Sequence, residues 1–298
     1  MNLEQQFHLF LKKYSLQRPL LGLSGGPDSM ALFHLLIGEG ISFEVAHIDH
    51  RWRGESQEQA SQLEALCQKF CVVFHLKILD INGPNIEDRC RNERLAFFAS
   101  LSSKVILGHH ADDQAETVLK RVFEGARLTK LKGLSCCSKM GEMELFRPLL
   151  AVSKAEILDW LNKKEIAYFE DETNRDAKYL RSRMREEILP TLSKMFGKKV
   201  EPSLCRLGKL AAELDEFTQK LIERYPFEGL LDLSQDPPQS TFEWRIIVSN
   251  FFEKKGITPS SLQLDQMIEH LQKKSCHKHL RIKNRYVKLH RQTIEIID

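Results

Sequence analysis

Two short polar segments of the chain contain residue types that bind phosphates and cations. The first is Ser24-Gly25-Gly26-Pro27-Asp28-Ser29, which lies between the apolar stretches Pro19–Leu23 and Met30–Ile37. Adjacent glycines reach backbone conformations that other residues avoid, so successive N–H groups can converge on an anion. A helix that begins here adds partial positive charge. The segment therefore predicts a site for a phosphate or pyrophosphate group such as that of ATP.

An acid distinguishes this loop from the lysine-containing loop G-x-x-x-x-G-K-[ST], in which the lysine contacts the terminal phosphates. Here Asp28 stands where a cation would be expected, and a carboxylate beside phosphates indicates Mg²⁺. The alternative is an ordinary glycine turn between a core strand and a helix. That alternative gives no function to the polar side chains of Ser24, Asp28 and Ser29.

The second segment is His109-His110-Ala111-Asp112-Asp113-Gln114-Ala115-Glu116-Thr117. It places Asp112 and Asp113 at a helix start and Glu116 one turn later. Capping and the helix dipole explain one acid, but not three acids beside two histidines. Such carboxylates can bind Mg²⁺ or a substrate ammonium, and a histidine can donate to a charged phosphate or transfer a proton. Zinc is disfavoured because adjacent histidines cannot easily bind one ion from a helix face.

Short apolar strands alternate with amphipathic helices in the part of the chain that contains these segments. The predicted elements are helix Leu3–Lys13, strand Phe43–Ile48, helix Glu55–Lys69, strand Val72–Leu76, helix Asn85–Leu101 and strand Lys104–Gly108, with a first strand before the glycine loop. This order predicts an α/β fold with a doubly wound parallel sheet, which binds ligands at the carboxyl ends of its strands. Both polar segments and the run His47–Gly54 follow such ends, so we expect them to form one site.

Length and composition limit the class of protein. A chain of 298 residues predicts two domains, and 42% hydrophobic with 29% charged residues is typical of a soluble protein. The first residues lack the layout of a secretion signal, which predicts a cytoplasmic location. The seven cysteines form no C-x-x-C pair, which argues against a zinc ribbon or an iron–sulfur site and predicts reduced thiols, most of them buried.

The net charge of +3 is too small to indicate a nucleic-acid partner by itself, but the bases are concentrated near the C-terminus. Between residues 276 and 298, bases alternate with apolar residues as in a half-buried strand with one charged face. Lys283, Arg285 and Lys288 are the bases predicted to contact an RNA backbone. The alternative is a sheet face that is exposed only to water.

The motifs S-G-G-P-D-S, D-H-R-W-R-G-E-S (Asp49–Ser56) and H-H-A-D-D-Q-A-E-T occur in an order that resembles the bacterial tRNA(Ile)-lysidine synthetase family of PP-loop ATP pyrophosphatases. Arg147-Pro148-Leu149-Leu150 and the segment that runs through Arg185 to Pro190 extend the resemblance. It implies a PP-loop, adenine nucleotide alpha hydrolase-like sheet with a smaller C-terminal α+β domain. The expected boundaries are 1–200 for the ATP-binding catalytic domain and 201–298 for a tRNA-recognition domain.

The resemblance also implies a reaction. ATP adenylates the C2 oxygen of the wobble cytidine in tRNA(Ile) with a CAU anticodon, and the amine of free lysine then displaces AMP to form lysidine.

The resemblance also implies roles for individual residues. The expected catalytic residues are Asp28, His109, Asp113 and Glu116. Of these, Asp113 and Glu116 would hold the lysine, while Asp28 and Asp112 would bind Mg²⁺. The expected ATP contacts are Ser24, Gly25, Gly26, Pro27, Asp28, Ser29, His47, Arg91, Arg94 and His109. The expected tRNA contacts outside the tail are Arg53, Arg147, Arg181, Arg183 and Arg185.

Two other functions fit part of the pattern. A related tRNA thiolase would attack the adenylated base with sulfur, but the lack of C-x-x-C pairs argues against it. A non-catalytic RNA-binding module would have a basic surface, and the acids at Asp112, Asp113 and Glu116 would repel RNA. We expect no membrane association. The sequence does not determine the oligomeric state, and a homodimer is one arrangement that it allows.

Overall fold

The computed structural model describes residues 2–51, 55–79, 86–169, 180–227, 229–282 and 284–297, and only the backbone of Glu87. The chain divides into two compact units, Met1–Leu210 and Ala211–Asp298. Arg53 and Lys283, both predicted to contact RNA, lie outside the described residues. No helix in the described ranges is long and apolar enough to cross a membrane.

A six-stranded sheet forms the centre of the first unit. Its strands are β1 (Leu20–Gly22), β2 (Glu44–Asp49), β3 (Val73–Ile78), β4 (Lys104–Ile106), β5 (Cys137–Met140) and β6 (Met143–Phe146). Their order across the sheet is β3-β2-β1-β4-β6-β5, and all neighbours are parallel except the antiparallel pair β5–β6. The predicted parallel sheet is confirmed. The β5–β6 hairpin was not predicted, because strands of four residues are too short for a clear alternating pattern.

Helices cover both faces of this sheet. They are α1 (Leu3–Tyr14), α2 (Pro27–Gly38), α3 (Ser56–Lys69), α4 (Ile86–Leu101), α5 (Ala111–Phe123), α6 (Lys154–Lys163), α7 (Leu180–Arg183) and α8 (Leu189–Met195). Consecutive residues of β1 point to opposite faces. Leu21 packs in the core that includes α1, α2, α3 and α6, whereas Leu20 packs in the core that includes Phe98 of α4. Burial on both faces explains why β1 contains no polar side chain.

Strand β1 lies where the direction of winding changes. The chain adds β2 and β3 on one side of β1, and β4 and β6 on the other. The loops that leave β1 and β4 at this point separate into a crevice, which is where open α/β sheets bind ligands. The glycine loop follows β1 and the acidic segment follows β4, so both are brought to that crevice.

The second unit pairs a small antiparallel sheet with two helices. Its elements are the end of α9 (Glu201–Glu223), β7 (Leu230–Asp232), α10 (Thr241–Lys254), α11 (Ser261–Gln272), β8 (Lys278–Ile282), β9 (Arg285–His290) and β10 (Thr293–Ile297). The sheet order is β7-β10-β9-β8. Val287, Leu289 and Ile294 on one face share a core with Phe251 of α10 and Met267 of α11. The predicted small α+β region is confirmed.

All seven cysteines are free thiols, but fewer of them are buried than predicted. Only Cys67 and Cys90 are buried, whereas Cys71, Cys136 and Cys276 are exposed. The exposed three lie in turns and connections, where the chain runs over the surface.

Candidate active site

The glycine loop connects β1 to the N-terminus of α2. Gly25 has a φ of +81°, which favours glycine, and the helix begins with Pro27, whose missing N–H would have no helical partner there. Hydroxyl groups fix the turn. Ser29 Oγ donates to Gly26 O at 3.0 Å, accepts from Ser24 N at 3.2 Å, and lies 3.1 Å from Ser24 Oγ. The loop therefore holds the free N–H groups at the start of α2 in one geometry.

Two neighbouring segments approach this loop so closely that little or no room remains for a Cβ at the point of contact. A Cβ on Gly25 would lie 2.3 Å from the ring of Phe169, whose N–H donates to Gly25 O at 2.9 Å. A Cβ on Gly108, just after β4, would lie 3.1 Å from Asp28 Cβ and 3.2 Å from Ser29 N. These approaches bring the ends of β1 and β4 together at the carboxylate of Asp28.

His110 is the centre of a cluster of carboxylates. Its side chain is buried, with Nε2 3.5 Å from Asp113 Oδ2 and 3.9 Å from Asp28 Oδ2, and with Nδ1 3.3 Å from Asp112 Oδ2. The acid of the glycine loop and the acids of α5 thus lie around one imidazole ring. The sequence pattern gave no reason to prefer His110 over His109 for this position.

Lys154 contacts both groups of acids. Its Nζ lies 2.7 and 2.8 Å from the two oxygens of Asp28, and its backbone N–H donates to Asp112 Oδ2 at 2.8 Å. We did not predict this residue as part of the site, although a signal was present. Ser153 and Glu156 form a capping box that starts α6 at Lys154, and a cation in the first turn of a helix opposes the helix dipole.

Arg185 contacts the other end of the acidic segment. Its Nε donates to Glu116 Oε1 at 2.8 Å, and its Nη2 donates to Asp113 Oδ1 at 3.2 Å. The sequence predicted an RNA contact for this arginine, and the structure pairs it with the two acids predicted to hold lysine. Arg185 lies in a π-helical turn, Met184–Ile188, a feature that is frequent at functional sites.

Three buried polar atoms of the site have no hydrogen-bond partner among the described residues. They are Nδ1 of His109, Oε2 of Glu116, and Nδ1 of His110, which lies 3.3 Å from the Asp112 carboxylate without forming a hydrogen bond to it. Glu116 is only 2% exposed, and an unsatisfied carboxylate oxygen at such depth is costly. Each atom can accept or donate a bond to a ligand that enters the crevice.

His110, Asp112 and Glu116 have shifted pKa values. Burial favours the neutral form of His110, but the contact with Asp112 and the charges of Asp113 and Asp28 outweigh it and raise the pKa of His110. Burial opposes ionisation of Asp112, but His110 and the Lys154 N–H outweigh it and lower the pKa of Asp112 to about 2. Burial raises the pKa of Glu116 although Arg185 opposes this. The pKa values of adjacent groups are therefore shifted in different directions, which suits transfer of a proton between a ligand and the site.

His109 differs from its neighbour. Burial lowers the pKa of His109 to about 4, Asp113 acts against this, and the charges of Arg147, Arg181 and Arg94 act with burial. His109 is therefore a neutral imidazole at neutral pH. These electrostatic effects also indicate that the three arginines lie near the site.

The remaining predicted ATP contacts lie on β2 and α4. His47, within β2, is buried and its Nδ1 bonds to Leu23 O at 2.8 Å, so it connects β2 to the start of the glycine loop. Arg91 and Arg94 are exposed residues of α4. Their contact with ATP stays a prediction.

The predicted RNA contacts occupy different environments. Arg147 is buried, and its Nη1 donates to Ser135 O at 2.8 Å and to Ser138 Oγ at 3.0 Å, so it has a structural role in the described contacts. Arg181 and Arg183 are exposed on α7, next to Arg185. In the second unit, Arg285 is exposed and Lys288 is partly buried. Contact of these residues with RNA stays a prediction.

Comparisons with known proteins agree with this geometry. A family model of the PP-loop domain matches residues 1–192. The chain is 37% identical to a tRNA(Ile)-lysidine synthase of Chlamydia pneumoniae, over 95% of this chain and 94% of that protein. It is 38% identical to a tRNA(Ile)-lysidine synthase of Chlamydia muridarum, over 93% of this chain and 89% of that protein.

A solved structure shares the fold. It is the U34-tRNA thiolase NcsA from Methanococcus maripaludis with its 4Fe-4S cluster, with a TM-score of 0.56 and 18% identity. The match covers 71% of this chain and 78% of that chain. At this identity the likeness shows only that the two proteins share an architecture.

The glycine loop yields a prediction about stability. We expect Gly25→Ala to lower the free energy of unfolding by about 1–3 kcal/mol, because the new Cβ meets the Phe169 ring at a positive φ. Gly38→Ala is the matched control, since no atom lies within 4 Å of its Cβ position. Chemical denaturation of both variants measures the difference. Equal denaturation midpoints for the two would contradict the close packing of Phe169 on the loop.

His109 yields a prediction about pH. Its folded pKa of about 4 lies below the value of 6.5 expected when unfolded, so the unfolded state binds more protons between these values. Stability from this group is present above pH 6.5 and decreases as the pH falls toward 4, by at most about 1.4 kcal/mol per pH unit. We expect His109→Gln to lose less stability than the wild type between pH 7 and pH 5. Denaturation curves with identical pH dependence for both proteins would show that His109 is not held neutral.

Proposed function

The chain belongs to the tRNA(Ile)-lysidine synthase family, and we propose that the residues around His110 carry out the reaction of that family in it. The protein is a ligase that forms lysidine on tRNA(Ile), and its PP-loop domain fits activation by ATP. The proposal adds which residues bind each substrate. In it, the cytidine oxygen of the tRNA attacks the α-phosphate of ATP, pyrophosphate leaves, and the amine of free lysine then displaces AMP.

One observation supports this assignment above the others. His110 Nε2 lies within 3.9 Å of Asp28, from the glycine loop, and within 3.5 Å of Asp113, from the acidic segment. The proposed phosphate-binding residues and the proposed amine-binding residues are therefore neighbours. An amine held at Asp113 would be close to a base activated beside Asp28, and such proximity removes a large entropic part of the barrier.

The phosphate end of the site is formed by the glycine loop and Lys154. The first N–H groups of a helix have no partner within it and can bind an anion, and the hydroxyls of Ser24 and Ser29 fix the turn from which α2 begins. The ammonium of Lys154 lies at this helix start, paired with Asp28. We propose that it transfers from the carboxylate to a phosphate oxygen of ATP, where it stabilises the charge that develops on the leaving pyrophosphate.

The donor set near Asp28 fits Mg²⁺ only in combination with a substrate. The described residues contain no group of three or more His, Cys, Asp or Glu side chains that could hold a metal ion. Mg²⁺ commonly uses one or two carboxylates and completes its coordination with phosphates and water. Asp28 and Asp112 are the proposed ligands. The ion would supply charge neutralisation at the phosphates.

The amine end of the site is formed by Asp113 and Glu116. Both accept hydrogen bonds from Arg185, and Glu116 retains an oxygen without a partner in the described residues. A lysine ammonium has the charge and the donors that these acids require. We propose that it replaces the guanidinium of Arg185, which is 41% exposed and can turn toward solvent or an RNA phosphate.

We propose that His109 accepts a proton in the second step. The attacking amine must lose protons as its bond to the cytidine carbon forms. Because burial keeps His109 neutral, its ring can accept one of them, and its unpartnered Nδ1 is an available position. His110, whose pKa is raised by its acidic neighbours, is better suited to balance negative charge.

The second unit completes the proposal. We propose that it contacts the tRNA through the bases of its C-terminal strands, including Arg285 and Lys288. Every residue of the proposed reaction site comes from a single chain, so the proposal holds for a monomer and for a homodimer. We place the reaction in the cytoplasm because its proposed substrates, tRNA, ATP and lysine, are found there.

Incorporation of labelled lysine into a tRNA(Ile) transcript tests the function directly. We expect label in the RNA that depends on ATP, together with release of AMP and pyrophosphate. A tRNA with a methionine anticodon stem and loop is the control for substrate choice. Release of AMP without label, or transfer of sulfur in place of lysine, would contradict the proposal and favour a thiolase.

Paired variants test the two ends of the site separately. We expect Asp113→Asn to raise the KM for lysine about ten- to hundredfold and to leave the KM for ATP within about twofold, because a hydrogen bond to a charged group is lost. We expect the reverse for Lys154→Met. Steady-state kinetics with each substrate varied in turn measures both constants.

Lys163→Met is the control for Lys154→Met. Lys163 lies on the same helix, is 71% exposed and pairs only with Asp159 among the described residues, so its loss has little effect. A rise in the KM for ATP with Asp113→Asn, and not with Lys154→Met, would exchange the two assignments and refute the proposal.

A further inference from the structure

The outer face of the C-terminal sheet presents an exposed aromatic ring. Tyr286, in β9, is 52% exposed, whereas its neighbours Val287 and Leu289 are buried against the helices. Alternate residues of a strand point to opposite faces, so Tyr286 belongs to the face away from α10 and α11. An aromatic side chain left half exposed in this way has no role in the described core.

The register shows what surrounds the ring. Tyr286 is opposite Arg281 of β8 on one side and opposite Ile297 of β10 on the other. Directly paired residues share a face, so these three form one row across the sheet. Ile297 is 39% exposed, and the guanidinium of Arg281 lies 5.8 Å from the centre of the Tyr286 ring, within the range of a cation–π contact.

A second row lies beside the first and carries charge. It contains His279, Lys288 and Glu295, which are opposite one another in β8, β9 and β10. The segment from residue 278 to residue 290 contains no aspartate or glutamate. The β8–β9 half of the face is therefore basic, and the carboxylates Asp232 and Glu295 lie in β7 and β10.

We propose that Tyr286 is a stacking platform for an unpaired base of the RNA substrate, with Arg281 and Lys288 beside the adjoining phosphates. The inference rests on the proposed function, which supplies the RNA. An exposed ring beside cations matches the way proteins bind single strands, since every unpaired base has an open π face and a phosphate on each side. The bases of a duplex are already stacked and offer no such face, so the site selects a loop or an end of the tRNA.

Binding of a tRNA(Ile) transcript to the full chain tests the inference. We expect Tyr286→Ala to raise the Kd about 5- to 100-fold, the range measured for loss of one base–aromatic stack. Tyr286→Phe keeps the ring and is expected to stay within about twofold of the wild type. Phe242→Ala is the matched control, because Phe242 is 42% exposed in the same unit but lies on α10, whose helix covers the opposite face.

The dependence of binding on salt separates stacking from phosphate contact. Tyr286→Ala should leave the slope of log Kd against log salt concentration unchanged, because it releases no counterion. Lys288→Gln should lower that slope. A slope that falls with Tyr286→Ala would overturn the stacking role.

Three further results would also overturn the inference. The first is an unchanged Kd for Tyr286→Ala. The second is an equal loss with Tyr286→Phe, which would assign the effect to the hydroxyl. The third is a change in sedimentation without a change in RNA affinity, which would assign the face to contact between copies of the chain. Lysine incorporation by the wild type is measured in parallel, so failure of the proposed function is recognised independently of failure at Tyr286.

Discussion

The site depends on holding several carboxylates close together. Asp28, Asp112 and Asp113, all partly exposed, lie around the ring of His110, and Glu116 is almost fully buried close by. Charges of one sign repel each other and lose hydration as they are covered, so cations in contact stabilise this arrangement. Lys154 supplies one at Asp28 and Arg185 supplies another at Asp113 and Glu116. The ion pairs thereby connect α6 and the π-helical turn Met184–Ile188 to the two helices that begin at the crevice.

The backbone brings these groups within reach of one another. The winding of the sheet changes direction at β1, so the loops after β1 and β4 leave the sheet side by side. Gly108 lets the end of β4 approach the first turn of α2 at a distance that leaves little room for a Cβ, and Gly25 lets Phe169 approach the glycine loop where a Cβ would collide with its ring. The absence of a Cβ at these two positions therefore contributes to the close packing of the segments that carry the site.

The sequence predicted the parts of the site that are local and missed the parts that depend on folding. The glycine loop, the acids of α5 and the strands that precede them are contiguous motifs, and their spacing was enough to place them at one edge of the sheet. The partner of each counterion was not predictable in this way, because Lys154 is 126 residues from Asp28 and Arg185 is 69 residues from Glu116. A basic cluster near Arg185 was equally consistent with RNA contact. Which arginine turns inward depends on burial of Glu116, which no local pattern encodes.

In the proposed reaction, each substrate replaces one charged side chain of the protein in an existing ion pair. A triphosphate takes Lys154 away from Asp28 and leaves that carboxylate available to a cation. A lysine ammonium takes the place of Arg185 at Asp113 and Glu116. One cation replaces another at Asp28, and likewise at Asp113 and Glu116. These acids therefore keep a counterion throughout the reaction. Lysine can then bind only to molecules in which Arg185 has moved away from the acids. The apparent Kd for lysine is therefore the Kd of the vacated acids divided by the fraction of molecules in that state. An RNA phosphate that attracts Arg185 would increase this fraction, so binding of tRNA and binding of lysine would favour each other.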